Sequence, residues 1–390
     1  MTVRGRGPIH HSVEPPFSLT RGGPTYRLGQ TLARGDWRRM SFMTIAVTWL
    51  PVVVLSIVEW RATGKVSALF LSYSMHAKLL VAVPVMFAAE AVMNMRTSRC
   101  VERIVDERWV EPVSSVFALT AAAERRRDSG VAEIVLLALA VLGSQSLLWG
   151  LLQPLGIVRG RGLGHMSAAA VWNGTIALTL YQFLFVRWLW RWWIWIRLMW
   201  GLSRLKVRAL ATHPDKQGGL GFLAEAPAGF AAILFAVSSV QAAVWADQVS
   251  FDHVSVMSFK PEIAVLVALA FMVSLLPLLP FVRPLWMARF QAVREYGRLA
   301  ADHARMFHAR WVQRGEREDL LGSPDVSSLA DIGTAYDVIR LMRPIPFSLY
   351  TILVIALAVL TPMIPLALME VPLVQLLRKL SGVAMGGLPH

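Results

Sequence analysis

Cysteine is almost absent from this sequence, since Cys100 is the only one among 390 residues. A single cysteine forms no intramolecular disulfide and no multi-cysteine metal site. The sequence also lacks a nucleotide-binding glycine loop, a His-Glu-x-x-His metalloprotease pattern and a Gly-x-Ser-x-Gly elbow. We therefore predict no cofactor, no metal site and no catalytic residue from sequence motifs.

Charge is also scarce, at 16% of residues, whereas 55% of residues are hydrophobic and 15 are tryptophan. The uncharged residues form long runs between arginine-rich stretches. A helix needs roughly 17 to 25 apolar residues to cross a bilayer, and six runs meet that length. These six predicted spans are residues 40–58, 134–158, 162–186, 226–246, 263–282 and 344–369.

A seventh predicted span covers residues 66–95, although it carries Lys78 and Glu90. Lys78 would lie at the far interface and Glu90 a turn or two inside the near one, with Pro84 producing a kink. No strand pattern is evident. The expected fold is an all-α, polytopic membrane helix bundle of about seven spans with cytoplasmic helical extensions.

Lysine and arginine predict the orientation of this bundle. Of the 39 in the chain, 31 lie in residues 1–40, 96–130, 187–217 and 283–343. These segments fall on one side of a seven-span arrangement, and the positive-inside bias makes that side cytoplasmic. The amino terminus is then cytoplasmic. The tail has an alternative, because Pro362 and Pro365 could turn the last span into a re-entrant hairpin.

Segment lengths and composition suggest an organisation along the chain. Residues 1–39 resemble a flexible basic cytoplasmic arm without a cleaved signal peptide. Spans one and two follow, and then cytoplasmic and membrane segments alternate. The predicted divisions are 1–39 (arm), 40–95 (spans one and two), 96–133 (cytoplasmic helices), 134–282 (spans three to six), 283–343 (cytoplasmic helices) and 344–390 (span seven and tail).

The basic composition, with an isoelectric point near 10.8, needs a counterion. Because the arginines are spread over juxtamembrane segments, we expect anionic lipid headgroups as their partners and no nucleic acid. The tryptophan-rich stretch 187–197 is interpreted in the same way, as an interfacial girdle with arginines that extend to the headgroups.

Periodic apolar positions predict helices on the cytoplasmic side, at residues 96–109, 115–127, 286–311 and 328–342. Ser328 is the predicted amino-terminal cap of the last one, with Asp331 three residues later. The helices either form a docking surface or simply pack on one another. Assembly through them would make the protein a homo-oligomer.

The segment His213-Pro214-Asp215-Lys216-Gln217-Gly218-Gly219-Leu220-Gly221-Phe222 is the most motif-like in the chain. Its His-Pro-Asp is similar to the tripeptide of J-domain co-chaperones, but a predicted span stands where that family has a soluble helix. As a whole, the segment resembles a His-Pro-Asp plus Gly-Gly-Leu-Gly-Phe signature of bacterial multi-pass membrane proteins with no assigned activity. That resemblance implies a bacterial inner (plasma) membrane location.

Two interpretations of this loop stay open. Pro214 ends a helix and the glycines permit unusual backbone conformations, which suits a tight structural corner. Alternatively, the backbone around Gly218, Gly219 and Gly221 forms an anion nest with help from Lys216 and His213, and with Asp215 as a cap.

Polar residues inside the spans are the remaining candidates, because burying them in hydrocarbon is costly. Glu90 is the sharpest, since it must be paired, hydrated or protonated there. The predicted ion-path residues are Glu90, Asn94, Gln145, Gln182 and Gln241. The alternative is that Glu90 makes an internal ion pair or hydrogen bond between spans.

These features suggest a channel or transporter for small ions. The alternative is a non-transporting membrane scaffold or signalling component that binds a cytoplasmic partner. A membrane-embedded enzyme whose catalytic groups come from separate spans is a third hypothesis.

Overall fold

The computed structural model describes residues 17–148, 167–313 and 324–370 and is almost entirely helical there. The helices are α1 (Pro24–Ala33), α2 (Trp37–Thr63), α3 (Tyr73–His76), α4 (Val83–Asp106), α5 (Val113–Arg127), α6 (Gly130–Leu148), α7 (Ala168–Trp172), α8 (Leu178–Ser203), α9 (Glu225–Asp252), α10 (Lys260–Leu275), α11 (Val282–Phe307), α12 (Pro324–Leu341), α13 (Leu349–Leu360) and α14 (Ile364–Glu370). Two-residue strands, β1 (Val110–Glu111) and β2 (Lys206–Val207), pair antiparallel. The expectation of no strand therefore missed one short pair.

Among the described residues, six helical stretches are long and apolar enough to cross a membrane, and α5 with α6, bent by 46°, makes up to seven. The six are Trp37–Thr63, Tyr73–Asp106, Ala168–Ser203, Gly221–Asp252, Val256–Gln313 and Leu349–Met369. The all-α, multi-pass membrane bundle is thereby confirmed. The second half of the predicted span 134–158 and the tail after residue 370 lie outside the described residues.

Short irregular turns join several helices into these long stretches. A π-helical turn, Ala77–Ala82, precedes the predicted kink residue Pro84, and a 3₁₀ turn, Leu276–Phe281, joins α10 to α11. Proline removes a backbone donor, so the helix adjusts its hydrogen-bond pattern beside it. The predicted continuation of span six into an amphipathic helix is confirmed by α11.

The amino-terminal arm does not match its prediction over residues 17–39. Residues 24–33 form α1, and Phe17, Leu19 and Thr20 are buried in the protein. A flexible, solvated arm would leave these side chains exposed, so that description is wrong for this part of the arm. Residues 1–16 lie outside the described residues.

The four arginine-rich segments contact one another. The hydroxyl of Ser98 donates to the carbonyl of Phe17, and the Arg208 N–H donates to the carbonyl of Trp109 at 2.8 Å. The Arg343 N–H donates to the carbonyl of Lys216 at 2.7 Å. These segments therefore gather on one side of the bundle, which we call the arginine-rich side.

The α11–α12 pair forms a helical hairpin on this side. Helix α12 begins at Pro324, and the Ser328 hydroxyl donates to the Pro324 carbonyl, so Ser328 lies inside the helix and the predicted cap at this residue is wrong. Ile339 and Met342 are buried in the main core, which anchors the base of the hairpin.

Candidate functional site

Glu90 lies in an ion pair between two membrane-spanning stretches. Its Oε1 is 2.7 Å from Arg191 Nη1 and 3.5 Å from Arg187 Nη1. Glu90 belongs to α4 and both arginines belong to α8. The arrangement matches the alternative interpretation of Glu90, an internal ion pair that joins two helices.

The spacing of the arginines explains why both face the same carboxylate. Residues four apart lie on one face of a helix, so Arg187 and Arg191 extend side by side toward α4. Arg191 also lies over the Trp188 ring, with its guanidinium carbon 5.2 Å from the ring centroid. The aromatic face therefore adds a favourable contact for this cation.

The predicted interfacial girdle is wrong for half of its members. Arg187 is 7% exposed and Arg191 2%, and Trp188 and Trp195 are also buried. The helix continues to Ser203 without interruption, so residue 187 is not the end of the span and its side chain meets other helices.

Residues 17–21, which we call the amino-terminal segment, pack directly on this ion pair. The Thr20 hydroxyl donates to the Glu90 carbonyl and Arg191 Nη2 donates to the Thr20 carbonyl, both at 3.0 Å. The Ser18 hydroxyl donates to Asn94 Oδ1, and Arg127 Nη1 donates to the Ser18 carbonyl. The backbone of the segment is thus satisfied by side chains from α4, α5 and α8.

A cavity of about 310 Å³ opens beside the ion pair. Glu90 and Arg187 form part of its wall, and α1 and the start of α2 form most of the rest. It is lined by Thr20, Arg21, Thr25, Tyr26, Gly29, Gln30, Ala33, Arg34, Gly35, Asp36, Trp37, Met40, Phe87, Glu90, Ala91 and Arg187.

The other predicted ion-path residues belong to different interfaces. Gln182 lies on α8 against α6, with its Oε1 2.9 Å from the position that a Cβ on Gly143 would take. Gln145 and Gln241 are half-buried on α6 and α9. Within the described parts of the chain, no hydrogen bond joins these three glutamines to Glu90 or Asn94.

The loop motif forms a compact turn around the carboxylate of Asp215. The N–H groups of Gln217 and Gly219 donate to Asp215 Oδ1 at 2.8 and 3.0 Å, and the Gly221 N–H donates to Oδ2 at 3.1 Å. His213 Nδ1 lies 2.9 Å from Oδ1. The donors of the predicted anion nest are therefore turned toward the chain's own carboxylate, which favours the structural corner.

These contacts also set the ionisation of Asp215. Partial burial on its own would raise the pKa of this carboxyl, because burial disfavours the charged form. The backbone N–H donors from Gln217 and Gly219, the His213 contact and the Gly221 donor outweigh burial and hold the pKa below its ordinary value. Asp215 is a stable anion within its own loop.

Close packing explains the glycines of the motif. Gly219 has φ +83°, and a Cβ there would lie 1.9 Å from Trp109 Cη2. A Cβ on Gly218, where φ is +66°, would lie 2.9 Å from Leu285 Cδ2 on α11. Lys216, exposed at φ 55°, contributes its backbone carbonyl to Arg343. The loop therefore joins three segments of the arginine-rich side.

Sequence reasoning missed Arg187, Arg191 and Thr20 as members of the Glu90 site. Two arginines four residues apart beside a predicted span were a usable signal, because an intramembrane carboxylate needs nearby cations. Thr20 carried no signal, since its contribution is mainly backbone.

Comparisons with known proteins add no relative: no family model matches the chain, and neither does any curated protein or solved structure.

Proposed function

We propose that this protein is a membrane scaffold or signalling component that binds a cytoplasmic partner through the α11–α12 hairpin. The observation that carries the proposal is the outward face of α11. Arg294, Arg298 and Arg305 are exposed along one stripe of that helix, at i, i+4 and i+11. Such a stripe is complementary to an acidic helical segment.

The apolar side chains of α11 support the same proposal. Met287, Phe290, Leu299 and Met306 are each at least half exposed, and Met306 reaches 64%. Large apolar residues beside a row of arginines are typical of docking surfaces, where anchors pack and charges orient the partner. An amphipathic acidic helix satisfies both requirements.

The Glu90 ion pair favours the scaffold over the channel. Glu90 was the main residue that suggested ion passage, and it is paired with Arg191 and Arg187 and covered by the amino-terminal segment. A carboxylate held in this way stabilises helix packing without any need for a mobile ion.

The test is reversal of the charges on the stripe. The variant Arg294→Glu/Arg298→Glu/Arg305→Glu is affinity-purified from native membranes beside wild type, and co-purified proteins are quantified. We expect at least one partner with an acidic helix to fall about tenfold or more, because attraction becomes repulsion at three positions. The recovered partner must then bind the purified full chain directly, with the same dependence on the arginines.

The matched control reverses three exposed arginines outside the hairpin, Arg27→Glu/Arg125→Glu/Arg204→Glu. It changes the net charge equally and should leave the partner in place. If no recovered protein depends on the stripe more than on the control positions, the scaffold proposal fails.

Ion transport is the second candidate, and the cavity beside Glu90 and Arg187 is the observation that favours it. Proteoliposome flux of protons, small cations and small anions tests it. A transporter should exceed empty vesicles for one of these ions, and Glu90→Gln should change that flux. Equality of wild type, Glu90→Gln and empty vesicles for all of them removes this candidate.

A further inference from the structure

We propose that the cavity between the amino-terminal segment, α1, α2 and α4 is a binding site for a phosphate-bearing anion. The cavity is small and partly polar, and about 310 Å³ lies at the lower end of the range for ligand sites. This inference is independent of the proposed function of the hairpin.

Arg187 provides the first observation, an unpaired buried donor. This residue lines the cavity and is 7% exposed, and its Nη2 has no hydrogen-bond partner in the described parts of the chain. A buried guanidinium nitrogen without an acceptor is unfavourable, so an acceptor brought by a ligand would stabilise it.

Charge balance around Glu90 is the second observation. Two guanidinium groups, Arg187 and Arg191, share one carboxylate, and the shorter contact belongs to Arg191. Arg187 therefore keeps positive charge that Glu90 does not fully neutralise. At a nearly dry position this excess favours an additional anion.

Two further cations lie in the wall. Arg21 and Arg34 are exposed cavity residues, and neither guanidinium makes an ion pair with a described residue. Together with Arg187 they supply forked donors of the type that match phosphate oxygens. The acidic residues of the wall are already engaged: Glu90 with the arginines, and Asp36 as the cap of α2 and beside Arg39.

The rest of the wall identifies the ligand class more closely. It includes the apolar side chains of Trp37, Met40, Phe87 and Ala91. Free inorganic phosphate would leave this surface unused, whereas the glycerol and first methylenes of an anionic lipid would cover it. The shared chemistry is the phosphate group, and its source is distinguished by experiment.

The experiment titrates the purified full chain in detergent with short-chain phosphatidylglycerol, short-chain phosphatidylcholine and, separately, inorganic phosphate. Binding is followed by calorimetry. The variant is Arg21→Gln/Arg34→Gln, whose residues are exposed and so are not required for folding. The control is Arg27→Gln/Arg38→Gln, which removes equal charge from exposed positions in the same region outside the cavity wall.

We expect saturable binding of phosphatidylglycerol, about tenfold weaker in the Arg21→Gln/Arg34→Gln variant and unchanged in the control. Phosphatidylcholine, whose phosphate carries its own cation, should bind more weakly. Saturation by inorganic phosphate with the same dependence on Arg21 and Arg34, and no gain from the lipid, would support the site with a soluble ligand. The proposal is overturned if neither ligand saturates, or if the variant and the control bind alike.

Discussion

At the scale of single residues, the centre of the molecule is a carboxylate shared by two guanidinium groups. Glu90 is held by Arg191 at 2.7 Å and by Arg187 at 3.5 Å. Buried ion pairs add little net stability compared with apolar packing, but removal of one partner leaves charge uncompensated. The site therefore tolerates no simple loss of its anion.

We expect Glu90→Gln to destabilise the folded protein by about 3–5 kcal/mol, because two buried cations lose their counter-charge. Thermal unfolding of the protein in detergent measures the change. Glu102→Gln is the control, since Glu102 is exposed on the same helix and should have nearly wild-type stability. Equal stability of the two variants would contradict the ion pair.

Sequence reasoning could predict that Glu90 needed a partner, but not which one. A carboxylate within an apolar run is visible in any window of sequence. The face that a residue takes on its helix and the neighbour it meets depend on packing, so Arg187 and Arg191 were placed at the lipid headgroups. Only the continuation of α8 to Ser203 shows that they face the interior.

At the scale of elements, helices were predictable because apolar runs and periodic polar positions are local properties. The amino-terminal segment was not, since Thr20 and its neighbours are fixed by contacts with residues about 70 to 170 positions away. Glycine and proline in this region indicated a flexible chain. Side chains from three helices satisfy the backbone that such a chain would give to water.

Two glycine variants test the element scale in opposite directions. Gly219→Ala should destabilise by more than about 2 kcal/mol, because φ is +83° and the added Cβ would lie 1.9 Å from Trp109. Gly333→Ala should stabilise by about 0.5–1 kcal/mol, because Gly333 lies within α12 and no atom lies within 4 Å of the added Cβ. Chemical unfolding measures both.

The two results carry different weight. A neutral Gly219→Ala would mean that the loop does not contact Trp109 as described. A destabilising Gly333→Ala would mean that this face of α12 is already covered, for example by a partner.

At the scale of the whole molecule, the arginine-rich segments collect at one end. The connections α2–α3 and α9–α10 lie at the other end, where the Ser72 hydroxyl donates to Asp247 Oδ2 at 2.8 Å. Charge counts along the chain could predict this division. They could not predict that the loop after α8 would be locked between β1 and the base of the hairpin.

Cysteine accessibility tests this division in sealed membranes. In a Cys100→Ser background, Lys206→Cys and Arg298→Cys should react with a membrane-impermeant maleimide from one side only. Lys65→Cys and Met257→Cys should react from the other. All four wild-type residues are exposed, so labelling depends on sidedness. Reaction of Lys206→Cys and Arg298→Cys from opposite sides would be incompatible with the fold.

The separation between Glu90 and Arg191 has a consequence for biosynthesis. Their contact joins residues 101 positions apart. A ribosome adding about 5–20 residues per second makes α4 roughly 5–20 s before its counter-charge emerges. During that interval the nascent chain holds a lone acidic group at membrane depth, so insertion of α4 is completed only when α8 arrives, and the insertion machinery must shelter the acid until then.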